Sequence, residues 1–317
     1  MPSEIRKYFS NIRDFDGTIE FDVPLAKVSY YRIGGPATVL ITPKTLKDLA
    51  RISHGIAHTQ ANFFILGWGS NLLFADEGFK GVVVRMKHLF AEIEELPGNI
   101  LRVGASVGAS VLLKRAQEKG YGNLSRLTGI PGSVGGMIAM NAGTHLGEIK
   151  DLCAKVESVK FGESAIEDVL LVHTHVPTEK SFSYRKNHFL APAELITHVE
   201  LRYTPEDPAK VKAEIDELYQ RRKQTQPVEF PSCGSVFMNP KGKSGEGAGL
   251  NAWQVVDKVG LRGHRIGNAQ ISEKHPNFIV NLGDAKAADV VALIELAKAQ
   301  AREQLEIELH EEVKIIR

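Results

Sequence analysis

The chain has 317 residues, enough for about two domains, and 43% of them are hydrophobic. Its 39 Lys and Arg residues balance 38 Asp and Glu residues, and this net charge of +1 argues against general nucleic-acid binding, which needs a basic face. No apolar run approaches the roughly 20 residues of a membrane span, and the first residues lack the apolar core of a signal peptide. Cys153 and Cys233 have neither metal-ligand spacing nor a disulfide pattern, so we expect no metal and a cytoplasmic location.

Predicted strands and helices alternate in the first part of the chain, which indicates an α/β unit. Residues 1–20 are polar and mixed, and we expect a helical or loosely ordered lead-in. The predicted strands are residues 37–41, 63–66, 81–84 and 100–103. The predicted helices are Leu46 to Ile52, with Thr45 and Asp48 at capping-box spacing, and Ser110 to Lys119, ended by Gly120.

Strand-like segments dominate the middle of the chain, at residues 156–159, 169–173 and 195–203. The tripeptide Glu206-Asp207-Pro208 then interrupts the pattern, so we place a domain boundary near residue 206. A charged amphipathic helix is predicted from Val211 to Arg222. Helices at 252–259 and 287–306, with strands at 277–281 and 307–316, indicate a second, smaller α/β module.

Two glycine-rich runs stand out. The run from Gly129 to Gly143 has five glycines in fifteen residues, and each glycine is costly inside a helix or strand, so we expect a loop. Bare backbone N–H groups can cradle phosphate, although an ordinary turn is the alternative. The second run, Leu66 to Leu73, follows an apolar strand-like segment. Two such loops in one chain suggest a ligand with an extended pyrophosphate.

These two runs resemble the flavin-cradling loops of the UDP-N-acetylenolpyruvoylglucosamine reductase family of bacterial peptidoglycan (cell wall) synthesis. The resemblance extends from about Tyr31 to the C-terminus. It implies an α/β chain in which an FAD-binding fold of the vanillyl-alcohol-oxidase (PCMH) type precedes a smaller α/β substrate domain. The implied FAD-binding region is residues 1–205, in subdomains of about 1–80 and 81–205. The substrate domain is then residues 206–306, and a C-terminal strand at 307–317 returns to the first region.

The resemblance implies a flavoprotein oxidoreductase that binds FAD and uses NADPH to reduce UDP-N-acetylglucosamine enolpyruvate to UDP-N-acetylmuramate. In that family, NADPH gives a hydride to FAD, the flavin passes a hydride to the enolpyruvyl methylene carbon, and the adjacent carbon is protonated. Both substrates use one cleft in turn, so we expect ping-pong kinetics. The sequence does not distinguish NADPH from NADH or determine the oligomeric state; we expect a monomer whose partner is the small-molecule substrate.

Three residues match the family's catalytic positions. Ser235 matches the proton donor, and Arg185 matches the arginine that holds the substrate carboxylate as negative charge builds up. Taken alone, they are a turn serine and a surface arginine. Glu312 matches a glutamate that assists protonation. Alternation along the predicted strand puts Glu311 among apolar neighbours and Glu312 on the polar face, so we choose Glu312 and keep Glu311 as the alternative.

The resemblance also implies binding residues. Those for FAD are Gly67, Gly69, Ser70, Asn71, Leu72, Gly129, Ile130, Pro131, Gly132, Ser133, Gly136, Asn141 and Ala142. Those for the substrate are Tyr184, Arg222, Asn239, His275 and Asn277. The chain departs from the family at Asn187, where a serine is common, and at Thr225 and Met238, where basic residues are common.

Only 50 residues separate Arg185 from Ser235. That distance is too short for the substrate-covering tyrosine loop of the family's longer branch, so we assign the chain to the shorter (type II) branch. Two alternatives stay open. Another flavin-dependent oxidoreductase of the same fold would share the glycine runs but not the three catalytic residues together. A nucleotide-binding module without catalysis would need none of the three.

Overall fold

The computed structural model describes residues 2–162, 170–240 and 249–317. The chain forms two compact units that interleave along the sequence. The first unit comprises Met1–Asp22, Thr38–Trp68 and Lys80–Gln220, and the second comprises Val23–Ala37, Gly69–Phe79 and Arg221–Arg317. The functional division predicted above, at residues 1–205, 206–306 and 307–317, stays a prediction.

Helices and strands are mixed along the whole described chain, which makes this an α/β protein. The helices are α1 Pro2–Ser10, α2 Leu46–Thr59, α3 Ala109–Lys119, α4 Val134–Ala139, α5 Pro208–Thr225, α6 Ala252–Lys258 and α7 Ala287–Leu305. The strands are β1 Thr18–Pro24, β2 Pro36–Thr42, β3 Phe63–Leu66, β4 Leu72–Phe74, β5 Phe79–Arg85, β6 Ile93–Leu96, β7 Ile100–Gly104, β8 Gly143–Thr144, β9 Gly147–Glu148, β10 Cys153–Lys160, β11 Val172–His175, β12 Phe182–Ser183, β13 Lys186–Asn187, β14 Glu194–Arg202, β15 Arg265–Ile266, β16 Ala269–Ile271, β17 Ile279–Asn281 and β18 Lys314–Ile316. Among the described helices, none combines the length and the apolar character that crossing a membrane requires.

The described part of the first unit contains two larger sheets, each with its own hydrophobic core, and the two-stranded sheets β8-β9 and β12-β13. One sheet has the order β1-β2-β5-β3, with β3 and β5 parallel, and its core includes Phe9 of α1 and Ile52 of α2. The other is antiparallel with the order β11-β10-β14-β7-β6, and its core includes Leu112 of α3 and Ile215 of α5. Each helix therefore buries one apolar face on a sheet, as expected for layered α/β packing.

The second unit is built around helices α6 and α7 and a three-stranded antiparallel sheet, β15-β16-β17. Their apolar side chains form one buried core that includes Val255, Val290 and Ile279. Strand β18 pairs in parallel with β4, which begins at the end of the glycine-rich run from Leu66 to Leu73. The hydroxyl of buried Tyr31 donates to the Ile279 carbonyl over 2.9 Å, which fixes the segment of Tyr31 to strand β17.

The predicted capping box at the start of α2 is confirmed. The Asp48 backbone N–H donates to the Thr45 hydroxyl, and the Thr45 N–H donates to the Asp48 carboxylate, both over 3.1 Å. The predicted end at Ile52 is wrong, because the helix runs on to Thr59 and its apolar face continues with buried Ile56. Helix α3 ends as predicted, since Gly120 adopts a left-handed φ of 75°.

Several strand boundaries differ from the prediction. The strand predicted at 307–316 is wrong for most of its length, because only Lys314–Ile316 finds a full strand partner, in β4. The strand predicted at 277–281 begins only at Ile279. Of the strand predicted at 169–173, residue Val169 lies outside the described residues, and β11 begins at Val172. Periodicity marks apolar positions but not where a partner strand stops.

Candidate active site

The glycine-rich run contains a short helix, so the expectation of a continuous loop is wrong. Helix α4 covers Val134–Ala139, and the Ser133 hydroxyl caps it by accepting from the Gly136 N–H over 3.3 Å. Glycine is used there for close approach, since a Cβ on Gly135 would lie 2.9 Å from the Cβ of Ala105. Packing against a neighbouring segment thus outweighs the low helix propensity of two adjacent glycines.

The structure brings the two predicted cofactor loops together within the first unit. A Cβ on Gly67 would lie only 2.7 Å from the Ser133 hydroxyl. The indole of Trp68 lies across Gly108, where any Cβ would overlap the ring, and Gly108 pairs with Ser133. The backbone at Gly67 and the turn at Ser133 that begins α4 therefore form one surface of bare backbone.

This surface fits a phosphate-bearing cofactor. Gly136 is exposed at the N-terminal turn of α4, and Gly67, Gly129, Ile130 and Pro131 are half-buried. Gly132 and Ser133 are buried and hold the turn in place. Glycine backbone has no Cβ in front of it and lets a pyrophosphate approach closely, so the exposed and half-buried glycines of this surface suit FAD.

Arg185 sits at the tip of a tight hairpin. Strands β12 and β13 pair Ser183 with Lys186, so only Tyr184 and Arg185 form the turn. Arg185 has a left-handed φ of 58°, and its guanidinium donates to the Gly143 carbonyl over 3.0 Å. The same guanidinium lies 5.0 Å from the ring centroid of Tyr184. The predicted catalytic arginine thus lies beside the last glycine of the glycine-rich run.

Asn141 is fully buried, and its side chain is used inside the protein. Its amide nitrogen donates to the Glu148 carboxylate over 2.9 Å and to the Ser183 carbonyl over 3.0 Å. The neighbouring Ala142 is also buried. If Asn141 contacts a flavin, it therefore does so through its backbone, and its side chain supports the hairpin.

Ser235 lies in the second unit on a segment held by Asn277. The Val236 N–H donates to the Asn277 carbonyl over 2.8 Å, and the Asn277 side-chain amide bonds both the N–H and the carbonyl of Phe237 over 2.9 Å. Gly234, with a φ of 79°, has open space where a Cβ would stand. Ser235 is half-buried, and these hydrogen bonds hold the segment that follows it. The side chain of Asn277 holds the Phe237 backbone two residues from Ser235, and its predicted substrate contact stays a prediction.

The C-terminal segment joins this serine segment to the cofactor loop. The Glu312 N–H donates to the Val236 carbonyl over 2.8 Å. The Asn71 side chain donates to the Glu312 carbonyl over 3.0 Å, and the Asn71 carbonyl accepts from the Lys314 N–H over 3.1 Å. A predicted cofactor residue, the predicted glutamate and the segment of the predicted proton donor are therefore linked by direct hydrogen bonds.

The carboxylate of Glu311 has a structural partner. It forms an ion pair with Lys298 over 2.9 Å. Burial, the largest single effect, raises the pKa of Glu311, but the hydrogen bonds and the positive charge of Lys298 together outweigh it, so the pKa is lowered. The catalytic role of Glu312 stays a prediction.

The substrate candidates of the second unit lie on neighbouring segments. Lys274 donates to the Lys223 carbonyl over 3.2 Å, so the turn bearing His275 lies against the end of α5, where half-buried Arg222 is found. Burial lowers the pKa of His275, and among the described residues its Nδ1 atom has no hydrogen-bond partner. Asn239 is exposed and accepts from the Ala252 N–H over 3.1 Å.

The two cysteines are inert packing residues. Both side chains are buried, and burial raises the pKa of each thiol to about 12. A thiol with so high a pKa is neither a nucleophile nor a ready metal ligand at neutral pH.

Sequence reasoning missed the segment that supports the glycine-rich turn. Ala105 and Val107 accept backbone hydrogen bonds from Gly135 and Val134, both over 2.9 Å. The available signal was the pair Gly104 and Gly108 just after a predicted strand. It also missed Lys298, the partner of Glu311, for which the sequence offers no signal, because the two meet only through folding.

The bare-backbone surface suits an FAD-binding protein, and two sequence profiles assign the chain to the FAD-binding oxidoreductases. Residues 37–166 match the sequence profile of an FAD binding domain. Residues 226–316 match the profile described as UDP-N-acetylenolpyruvoylglucosamine reductase, C-terminal domain.

Similarity to known proteins extends over nearly the whole chain. The chain is 35% identical over 306 residues to UDP-N-acetylenolpyruvoylglucosamine reductase 2 of Symbiobacterium thermophilum, covering 96% of this chain and 94% of the relative. It is also 35% identical to the reductase of Geobacter metallireducens, with 95% and 94% covered. The crystal structure of UDP-N-acetylenolpyruvylglucosamine reductase (MurB) from Thermus caldophilus superposes with a TM-score of 0.77 at 35% identity, covering 95% of this chain and all of that one. The chain belongs to the UDP-N-acetylenolpyruvoylglucosamine reductase family.

Proposed function

We propose that this protein reduces UDP-N-acetylglucosamine enolpyruvate to UDP-N-acetylmuramate in peptidoglycan precursor synthesis, with FAD bound and NADPH as the reductant. The observation that carries this proposal is the hydrogen-bonded connection of Asn71, Glu312 and the Ser235 segment. An oxidase of the same fold needs the cofactor loop, but it has no need of a proton donor whose segment is joined to that loop by hydrogen bonds.

When bound, FAD would supply the hydride chemistry of the reaction. The Gly67 loop and the turn around Ser133 would hold its pyrophosphate against bare glycine backbone. The protein's remaining tasks are to bind the enolpyruvyl group, stabilise negative charge on its carboxylate and deliver one proton.

Arg185 is proposed to stabilise that charge. As a hydride arrives at the methylene carbon, electron density moves onto the adjacent carbon and its carboxylate. A planar guanidinium can donate two parallel hydrogen bonds to a carboxylate, and a charged donor is stronger than a neutral one. The fixed hairpin and the bond to Gly143 hold the group in advance, which lowers the reorganisation needed during the reaction.

Ser235 is proposed to protonate the adjacent carbon. A hydroxyl is a weak acid in water, but a carbanion-like carbon is strongly basic, so a positioned hydroxyl suffices. Asn277 holds the Ser235 segment on one side and Glu312 on the other. Glu312 is proposed to assist the proton transfer or to hold substrate and water beside Ser235.

The residues proposed to bind the substrate differ in charge, and each is matched to a different part of it. Arg222 suits the diphosphate, because a guanidinium matches phosphate oxygens, and Thr225 and Met238 offer no charge there. His275 is kept neutral by burial, so its role is to donate or accept a hydrogen bond. Tyr184 and Asn239 are proposed to contact the sugar nucleotide.

We further infer that the protein acts in the cytoplasm as a monomer. Both cysteines are free and buried, which suits a reducing compartment. Light scattering of the purified protein gives its molar mass in solution and so tests whether it is a monomer.

The test is NADPH consumption with and without the sugar nucleotide, followed by mass spectrometry of the product. We expect consumption only with UDP-N-acetylglucosamine enolpyruvate, and a product heavier by two hydrogen atoms. Double-reciprocal plots should be parallel, as ping-pong kinetics require. NADPH consumption that is indifferent to this substrate would instead support another flavin-dependent oxidoreductase.

A further inference from the structure

The hairpin that carries Arg185 is tied to helix α4 by Asn187. The Asn187 amide nitrogen donates to the Ala139 carbonyl over 2.5 Å, at the last residue of α4. Its amide oxygen accepts from the Leu190 N–H over 3.3 Å. Ala139 belongs to the glycine-rich run, so this one side chain joins the arginine hairpin to the cofactor turn.

The other strand of the hairpin is held from the same run. The Asn141 amide donates to the Ser183 carbonyl over 3.0 Å, and Ser183 and Asn187 lie on opposite strands of the hairpin. The two asparagines therefore flank the two-residue turn on both sides.

The turn needs such support because of its backbone. Arg185 has a φ of 58°, a left-handed conformation that is unfavourable for residues other than glycine. Such a conformation persists where its surroundings hold it. Without the flanking bonds, the guanidinium would sample positions away from Gly143.

We propose that Asn187, together with Asn141, is a positioning residue that holds Arg185 at a fixed place relative to the glycine-rich run from Gly129 to Gly143. The proposal rests on the proposed function, because it assigns the arginine its role there. Asn187 stands where the family often has serine. Its longer side chain supplies a donor and an acceptor at once, so it binds α4 and the chain after the hairpin together.

The test separates the two half-reactions in Asn187→Ala, Asn187→Ser and the wild type. We expect Asn187→Ala to slow the oxidation of the reduced flavin by substrate about fivefold to tenfold, the value of one lost hydrogen bond. Bleaching by NADPH should keep its rate, and Asn187→Ser should recover part of the loss. In an Arg185→Ala background, Asn187→Ala should have no further effect, because the two residues then act as one unit.

Asn123→Ala is the matched control. Asn123 also bridges backbone groups, accepting from the Thr204 N–H over 2.8 Å, but it lies outside the hairpin. We expect this variant to keep both half-reaction rates. If Asn187→Ala does not retain flavin, Asn187→Ser, which keeps a hydroxyl donor but shortens the side chain, permits the same comparison.

Three results would overturn the inference. They are an equal slowing of both half-reactions, a loss that persists unchanged in the Arg185→Ala background, and an Asn187→Ala protein that matches the control. A wild-type protein whose reduced flavin is not oxidised by the sugar nucleotide would refute the proposed function instead, so the two failures are distinguishable.

Discussion

Substitutions of the two adjacent carboxylates, Glu311 and Glu312, should affect different properties of the protein: the first its stability and the second its catalysis. Glu311 pairs with Lys298 over 2.9 Å, and the two side chains are 29% and 26% exposed. A partly solvated ion pair of this kind is worth about 1 kcal/mol. Glu311→Gln should therefore lower the free energy of unfolding by about that amount at neutral pH and leave turnover close to that of the wild type.

The pH dependence of this loss follows from the lowered pKa of Glu311. A carboxylate whose pKa is lower in the folded state stabilises the protein above its unfolded pKa, about 4.3. That contribution disappears as the pH falls through the folded value. The difference in stability between wild type and Glu311→Gln should therefore shrink as the solution is acidified below about pH 4.3.

Glu312→Gln should behave in the opposite way. Its stability should stay within about 0.5 kcal/mol of the wild type, while oxidation of the reduced flavin by substrate slows by about 100-fold or more. Urea unfolding gives the first quantity and anaerobic stopped-flow absorbance the second. Lys298→Met is the control: it removes the same ion pair and also the exposed pair with Glu295 over 3.0 Å, so it should lower stability slightly more than Glu311→Gln, and the two changes should be less than additive in the double variant. If Glu311→Gln abolished substrate reduction and Glu312→Gln did not, the two roles would be assigned the wrong way round.

The remaining predictions address the other groups of the site. Ser235→Ala and Arg185→Ala should retain flavin and its reduction by NADPH, but each should slow oxidation by substrate by about 100-fold or more in stopped-flow traces; a Ser235→Ala protein with wild-type turnover would refute the proton-donor assignment. Gly135→Ala should cost about 1–3 kcal/mol in urea unfolding, because its Cβ would lie 2.9 Å from that of Ala105. An unchanged midpoint would contradict this close packing. Cys153 and Cys233, whose pKa values burial raises to about 12, should resist iodoacetamide at pH about 8 until the protein is unfolded, as checked by mass spectrometry.

Local features of this chain were predictable from local sequence. The capping box of Thr45 and Asp48 needs only residues three apart, and the glycine that ends α3 needs only its own freedom at positive φ. The sequence of the flavin loops and of the three catalytic candidates carried the family resemblance, which the similarity to known reductases confirms.

Features that depend on distant partners were not predictable. Helix α4 forms in a glycine-rich run because Ala105 packs against Gly135, which are 30 positions apart in the chain. The segment before β18 alternates like a strand, yet only its last residues pair with β4. The amide of Asn277 is used on Phe237, and nothing in the Asn277 sequence context distinguishes that from a ligand contact.

One anaerobic absorbance experiment tests the central claim most directly. The purified protein should show a bound oxidised flavin that NADPH bleaches, and UDP-N-acetylglucosamine enolpyruvate should restore the oxidised spectrum. Bleaching without restoration would contradict the proposed substrate while keeping the flavoprotein fold. A protein unable to take up FAD would contradict the interpretation of both glycine-rich loops.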